Sequence, residues 1–254
     1  MQKKVIITIP AYKAAGTLPS VFKRLEKVDE YFDEIIVVDD GSLDDTYNVA
    51  KKLGEEYTKK NGKQVVILQH SPNRGYGGSQ KTLYSETLKR GGDIAVLVHA
   101  DGQYPPEELP NILQPFLQEK ADVVLGSRAL GGQMIHGGMP LFKYLGNRLL
   151  TRLENLIVGM KPPVSEYHTG YRAFSRKALK QTRFHLNSEK YVYDSESLIQ
   201  CKEKGLKIKE VPIATYYGQE ISYLSPTRYG MRIMKVLLKY ILHKLKLRPT
   251  LQYS

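Results

Sequence analysis

Three polar side chains, His99, Asp101 and Gln103, stand at alternate positions in HADGQYPPEE, directly after the apolar run Ile94 to Val98. Residues i, i+2 and i+4 of an extended segment point the same way. An imidazole, a carboxylate and an amide can therefore converge on one ion at a strand's end. Asp101 and Gln103 offer the oxygen ligands that suit Mg2+ or Mn2+, and a neutral His99 leans toward Mn2+. Such an ion would act as Lewis acid and template for a diphosphate leaving group, and one carboxylate suffices when phosphate oxygens and waters complete the shell. His99 can instead donate to phosphate, and the stretch as a whole also suits a polar strand-to-helix turn.

Two other segments carry candidate ligand contacts. In VVDDGSLDDT, Asp39 and Asp40 can accept hydrogen bonds from a nucleobase edge or ribose hydroxyls, and Gly41 lets the backbone approach a ligand. Asp40, Ser42 and Asp44 can equally serve the start of the next helix. In SPNRGYGGSQKTL, the Walker spacing would need glycine where Gln80 stands, so this is not a P-loop. It reads as a glycine-rich turn, with Gly78 among its glycines, that brings Asn73, Arg74 and a helix N-terminus near an anionic or ribose group. The first apolar run does not lead into GxGxxG, which removes the dinucleotide fingerprint.

The elements that must hold these residues are apolar, β-branched runs alternating with longer helix-like stretches. Runs at Val5 to Ile9, Ile35 to Val38, Val65 to Leu68, Ile94 to Val98 and Val123 to Leu125 predict strands. Between them, Leu18 to Leu25, Asp44 to Leu53, Gln80 to Leu88 and Pro106 to Leu117 carry helical spacing. The alternation predicts an α/β fold with a mainly parallel, buried sheet flanked by helices, whose ligands bind at the carboxyl edge. After Gly126 comes a Gly-rich connection, an amphipathic segment from Phe142 to Ile157, and an apolar-and-turn pattern from Thr169 through Pro212. Within that pattern a helix is expected over Asp194 to Lys204 and a strand near Ile208 to Val211. Arg228 to Leu247 again has helical period, with Met231, Met234, Leu238, Ile241, Leu242 and Leu245 on one side and Arg232, Lys235, Lys239 and Lys246 on another. That pattern fits a helix packed on the domain, or a basic amphipathic helix lying in a membrane interface.

Composition bounds the partners. The 254 residues, 41% hydrophobic, suffice for one main globular domain. A net charge of +12 implies anionic partners, but C2H2, RRM and KH signatures are missing, so nucleic acid is not the expected one. The single cysteine, Cys201, excludes an intrachain disulfide framework and fits a reducing, cytoplasmic setting. MQKKVIITIPAY is too short and lacks the cleavage site of an export signal, and no window approaches the roughly 18 apolar residues of a spanning helix.

IPAY, VVDDGS, NRGYGGSQ, HADGQYPPE, GSR and HTGYRAFSR occur in an order that resembles family 2 glycosyltransferases of GT-A fold, most like polyprenyl-phosphate sugar synthases such as dolichyl-phosphate mannose synthase. The resemblance covers about Val5 to Pro212. It implies a nucleotide-diphosphate sugar as co-substrate, with Pro10, Ala11, Tyr12 and Asp39 on base and ribose, Asp101 and Gln103 on a divalent cation, and Arg128 near the phosphates. Family members commonly carry aspartate where His99 stands, glutamate where Ala14 stands, and an acidic residue at or near His168. Asp194, in YVYDSE, matches the acidic position expected of a general base, with Glu196 second; Asp194 can also cap a helix.

The expected reaction is an inverting, metal-dependent transfer to a polyprenyl (dolichyl or undecaprenyl) phosphate, by an enzyme peripheral to the inner face of the cell membrane. Arg128, Arg172, Lys190 and Arg228 are then candidates for the acceptor phosphate. A hydroxyl of a glycan or glycolipid is the alternative acceptor, and a catalytically weak nucleotide-sugar-binding protein is the alternative class. The expected division is a GT-A domain over 1–218 and a lid-like segment with the basic amphipathic helix over 219–254. In that lid, Ser222, Ser225 and Arg228 would face the site.

Overall fold

Continuous apolar runs become strands covered on both faces. The computed structural model describes residues 3–214 and 226–254, with backbone alone at 133, 136 and 226. In chain order the elements are β1 (Val5–Ala11), α1 (Leu18–Leu25), β2 (Glu34–Asp39), α2 (Thr46–Asn61), β3 (Gln64–Gln69), α3 (Tyr76–Lys89), β4 (Ile94–Leu97), α4 (Leu109–Leu117), β5 (Val123–Ser127), α5 (Gln133–His136), α6 (Leu141–Val158), β6 (Arg172–Ser175), α7 (Arg176–Gln181), α8 (Tyr193–Glu203), β7 (Ile208–Pro212) and α9 (Pro226–Lys244). The strands form one sheet in the order β3-β2-β1-β4-β6-β5-β7. β6 alone runs against its neighbours.

Side chains alternate between sheet faces. Val5, Ile7 and Ile9 enter one core with α1, α2 and α4, while Ile6 joins Ile36, Leu83 and Leu97 under α3 on the other face. A further core joins α6, α8 and α9 through Val158, Leu198, Ile233, Val236, Leu237 and Tyr240. α9 thus shares a core with the main domain rather than standing apart from it.

The expected strands and long helices are present, several of them longer than the apolar runs. Of the expected caps, Asp44 reaches the start of α2, its Oδ1 accepting from the Thr46 N–H at 3.3 Å and the Thr46 hydroxyl at 2.6 Å, whereas Ser42 Oγ accepts the Lys13 N–H at 2.9 Å instead. The strand RAFS was not separable from the turn-rich pattern around it, because four residues leading straight into the Ser175-capped α7 carry no readable period. Its direction matters. Leu97 of β4 and Leu125 of β5 both pair with Arg172, so the amino end of β6 meets the carboxyl ends of β4 and β5. HTGYR is thereby delivered to the same sheet edge as HADGQ and GSR.

α8 and α9 are fastened at Glu203, which accepts from Tyr240 Oη at 2.7 Å, Lys202 Nζ at 2.9 Å and Lys244 Nζ at 3.0 Å. Burial opposes the charge, but these donors outweigh it and hold the carboxyl down to about 2. A carboxyl depressed on folding stabilises the fold above its unfolded pKa, and that contribution is lost as pH falls through the folded value. Glu203→Gln is therefore expected to lower the melting temperature at neutral pH, with the difference from the parent shrinking between about pH 4.5 and about pH 2. A difference that stayed constant over that range would remove the charge from the account.

Candidate functional site

The carboxyl ends of β1 and β2 are tied together before any ligand arrives. The Asp40 N–H donates to Ala11 O at 2.8 Å, the Lys13 N–H to Ser42 Oγ, and the Ala14 N–H to Thr46 Oγ1 at 2.8 Å. Pro10 and Ala11 lie in β1 at this edge, and Tyr12 just beyond is 43% exposed with Lys13 Nζ 5.5 Å over its ring. Asp39 is fully buried and accepts from the Ser42 N–H at 3.2 Å and Gln69 Nε2 at 3.0 Å.

Asp40 corrects the expectation of a ligand acceptor. Its Oδ1 accepts the Arg74 N–H at 2.9 Å and lies 2.7 Å from His70 Nδ1, while Oδ2 accepts the Gly75 N–H at 2.8 Å. The carboxylate clamps the β3–α3 loop through both oxygens. Asn73 Nδ2 donates to Asp40 O at 2.6 Å, and Arg74 makes an exposed ion pair with Glu189 at 3.2 Å. Gly78 is buried beneath Arg74, where a Cβ would come 2.6 Å from that side chain. Gly41 has φ +68°, and a Cβ there would lie 3.0 Å from the Asn73 nitrogen, so two loops close only over glycine. Asn73, Arg74 and Gly78 therefore build the loop rather than stand ready as free donors.

After β4 the chain turns, with the Gly102 N–H donating to His99 O at 3.2 Å, so His99, Asp101 and Gln103 do not lie on a continuous strand. Asp101 is exposed, its Oδ1 accepts the Gln103 N–H at 3.0 Å, and Oδ2 has no protein partner among the described residues. His99 is drawn aside: its Nε2 lies 3.4 Å from Tyr76 Oη, its ring meets Tyr104 edge-on at 4.9 Å between centroids, and Gly170 packs so closely that a Cβ would sit 2.5 Å from Nε2. These contacts make His99 part of an aromatic wall with Tyr76 and Tyr104. No cluster of three His, Cys, Asp or Glu side chains arranged for a metal occurs among the described residues. Asp101 and Gln103 remain as hard oxygen donors, a set that fits Mg2+ or Mn2+ when a diphosphate supplies the other oxygens.

Tyr76, which the sequence reading passed over inside NRGYGGSQ, links His99 to Asp194. Its hydroxyl donates to Asp194 Oδ2 at 3.2 Å while Gln80 Nε2 donates to Oδ1 at 3.1 Å. Burial, then the Asp194 charge, push the Tyr76 phenol well upward, so it stays a protonated donor. Asp194 lies within the first turn of α8 but makes no cap bond, which corrects the capping alternative. Glu196 is buried and accepts the Ser188 N–H at 2.5 Å; burial pushes its carboxyl up.

Arg172 and Arg128 are both buried, in different ways. The Arg172 guanidinium donates to Thr169 O at 2.8 Å, Asp194 O at 2.9 Å and Tyr167 O, with the Asp194 carboxylate 3.7 Å away. Burial opposes its charge most strongly, and Asp194 together with Tyr76, Tyr229 and Tyr84 outweighs it, so the net shift is upward. Being fully buried and committed to three carbonyls, it holds the HTG loop to α8 rather than presenting itself to a phosphate. Arg128 pairs with Glu166, through Nε at 2.9 Å, through Nη2, and through its backbone N–H at 3.0 Å; it also donates to His168 O and lies over the Tyr104 ring at 5.5 Å. Glu166, a fully buried carboxylate, stands two positions before His168. Lys190 and Arg228 are exposed, and Ser222 and Ser225 lie outside the described residues.

The sequence pattern of Glycosyl transferase family 2 matches residues 6–183. The UDP-N-acetylglucosamine–dolichyl-phosphate N-acetylglucosaminyltransferase of Methanococcus voltae is 36% identical over 224 residues, covering 85% of this chain and 87% of its own. The undecaprenyl-phosphate mannosyltransferase of Micrococcus luteus is 28% identical, covering 86% and 85%. Among solved structures, glucosyl-3-phosphoglycerate synthase of Mycobacterium tuberculosis with Mn2+, UDP-glucose and phosphoglyceric acid shares the fold at TM-score 0.64 and 21% identity, covering 95% of this chain and 79% of that one.

Proposed function

The chain belongs to glycosyl transferase family 2, and we propose that this glycosyltransferase moves a sugar from a nucleotide-diphosphate donor to a polyprenyl phosphate, with inversion. The observation that carries this reading is one sheet edge holding an exposed Tyr12, a free Asp101 oxygen beside Gln103, and the buried Arg128–Glu166 pair. The relatives from Methanococcus voltae and Micrococcus luteus, named for lipid-phosphate acceptors, support the acceptor class.

In this reading Pro10, Ala11 and Tyr12 flank the base, and Asp39, fixed by Ser42 and Gln69, accepts from base or ribose. Asp101 and Gln103 would hold Mg2+ or Mn2+, which when bound neutralises charge on the departing diphosphate. The acceptor phosphate oxygen attacks the anomeric carbon from the face opposite the donor diphosphate. The new C–O bond forms as the old one breaks, and the nucleoside diphosphate leaves with the electron pair. No proton moves, because a lipid phosphate is already an oxyanion. Arg128 faces the incoming phosphate, Arg172 positions the HTG loop, and Asp194 positions Tyr76. The division at 218/219 is functional in this account, with the C-terminal part meeting the lipid. Among the described residues no helix is long and apolar enough to cross a membrane; peripheral contact at the inner membrane face is the proposed location, supported by the lipid-phosphate acceptors for which the relatives are named.

A panel of nucleotide sugars, with UDP-N-acetylglucosamine first, incubated with polyprenyl phosphate and Mn2+ or Mg2+ and read by mass spectrometry, is expected to give a polyprenyl-phosphate sugar. Nucleotide binding without product across the panel would favour the binding-protein class. Asp194 separates the two acceptor classes. If the acceptor is a hydroxyl, Asp194→Asn removes a base worth about 10²–10⁴-fold; for a lipid phosphate the same change is expected to cost no more than about tenfold, through looser Tyr76 placement. Rates on both acceptors check this.

A further inference from the structure

α6 and α9 each present an apolar stripe that no described residue covers. On α6, Phe142, Leu145 and Leu149 are 66%, 57% and 68% exposed; on α9, Met231, Met234 and Leu238 are 60%, 47% and 56% exposed. Both sets fall at i, i+3 and i+7, one side of a helix. The two helices pack against each other and share a core through Leu150, Leu153, Ile157 and Val158 of α6 and Ile233, Val236, Leu237 and Tyr240 of α9, which sets the two exposed stripes on neighbouring helices. The exposed residues of α9 belong to the apolar side expected from its sequence, while the residues it buries against the domain are Ile233, Val236, Leu237 and Tyr240. Single exposed apolar residues are ordinary, but paired stripes at matched spacing mark an interaction surface.

Charge selects the occupant. Residues 141–158 and 226–254 together hold ten Lys and Arg and one acidic residue, Glu154, which is fully buried 3.0 Å from His168 Nε2. Arg152, Arg232 and Lys235 are exposed and make no ion pair among the described residues. A second copy would bring one cationic face against another, which like-charge repulsion opposes. An anionic lipid surface takes both features at once: cations meet headgroups while the leucines and methionines enter the acyl boundary. The surface also adjoins the site. His168 bridges toward both helices, its Nε2 lying 3.0 Å from a Glu154 carboxylate oxygen of α6 and its Nδ1 2.9 Å from Tyr229 Oη of α9, and its carbonyl accepts from Arg128.

We propose that α6 and α9 together form a docking surface for an anionic lipid bilayer, next to the site where Arg128 meets the acceptor phosphate. The proposal extends the lipid-acceptor reading by naming the surface that brings the enzyme to its substrate. The test is co-sedimentation with vesicles of phosphatidylcholine alone or mixed with phosphatidylglycerol, all free of polyprenyl phosphate. The parent is expected to bind the anionic vesicles, and added salt to weaken binding. Leu145→Gln/Leu149→Gln on α6 and Met234→Gln/Leu238→Gln on α9 are each expected to lower partitioning by about tenfold or more, with unchanged melting temperature.

Unchanged binding of the α6 pair would overturn the joint surface, as would equal binding to neutral vesicles at all salt concentrations. A lipid-free dimer that dissolves in both variants would assign the stripes to a second copy instead. Since the vesicles hold no acceptor, the docking result stands or falls separately from the choice of polyprenyl phosphate.

Discussion

Asp101→Asn is expected to lower kcat/KM by about 10²–10⁴-fold, because the several kcal/mol that a cation contributes at a diphosphate leaving group convert at about 1.4 kcal/mol per decade. The choice of asparagine isolates the charge. Asp101 Oδ1 accepts the Gln103 N–H at 3.0 Å, and an asparagine oxygen can keep that turn bond while the anion is lost. The side chain is exposed, so stability should change by no more than about 0.5 kcal/mol. His99→Phe makes the contrast: its imidazole is walled by Tyr76, Tyr104 and Gly170, so the substitution should leave the dependence of rate on Mn2+ concentration intact while disturbing the Tyr76 contact. Initial rates across a Mn2+ titration compare the three proteins. Parent-like rates from Asp101→Asn, or an altered Mn2+ dependence confined to His99→Phe, would return the metal assignment to the imidazole.

Strand positions were legible because both faces of this sheet are covered, and a run such as Ile94 to Leu97 must then be apolar at every residue. β6 was not, since its four residues and reversed direction are set by pairing with β4 and β5 rather than by any pattern of its own. The same limit applies at the site. Spacing put Asp101 and His99 on one side of an extended segment, but β4 ends at Leu97 and a turn closed by the Gly102 N–H to His99 O takes its place. Asp40 shows the complementary failure. Its chemistry as an acceptor was read correctly, yet its partners are backbone amides 34 and 35 residues away, and only the fold brings them there. Tyr76, Gln80 and Gly170 sat inside quoted motifs, so the motifs marked the right segments without saying which members face the site. Glu166 had no signal beyond its nearness to HTG.

Breaking the Arg128–Glu166 pair is expected to cost both stability and transfer, and the two losses can be separated. Both side chains are buried, at 7% and 0% exposure, so Glu166→Leu leaves a guanidinium uncompensated away from water, a loss of about 3–5 kcal/mol. Replacing both, Arg128→Met with Glu166→Leu, removes the desolvated charges together and should recover most of that loss, because apolar substitutes for a buried ion pair are often neutral. Recovery will be incomplete, since the Arg128 N–H loses its Glu166 acceptor, at about 1–3 kcal/mol. Transfer should not follow stability. If Arg128 meets the acceptor phosphate, the double variant stays about 10²–10³-fold slow even where denaturant curves show it folded, by analogy with removal of a donor aimed at developing or incoming negative charge. A larger rise in acceptor KM than in donor KM would place the lost contact on the acceptor side. A folded double variant that transfers sugar at the parent rate would confine Arg128 to holding the loop that Glu166, His168 and Tyr104 share.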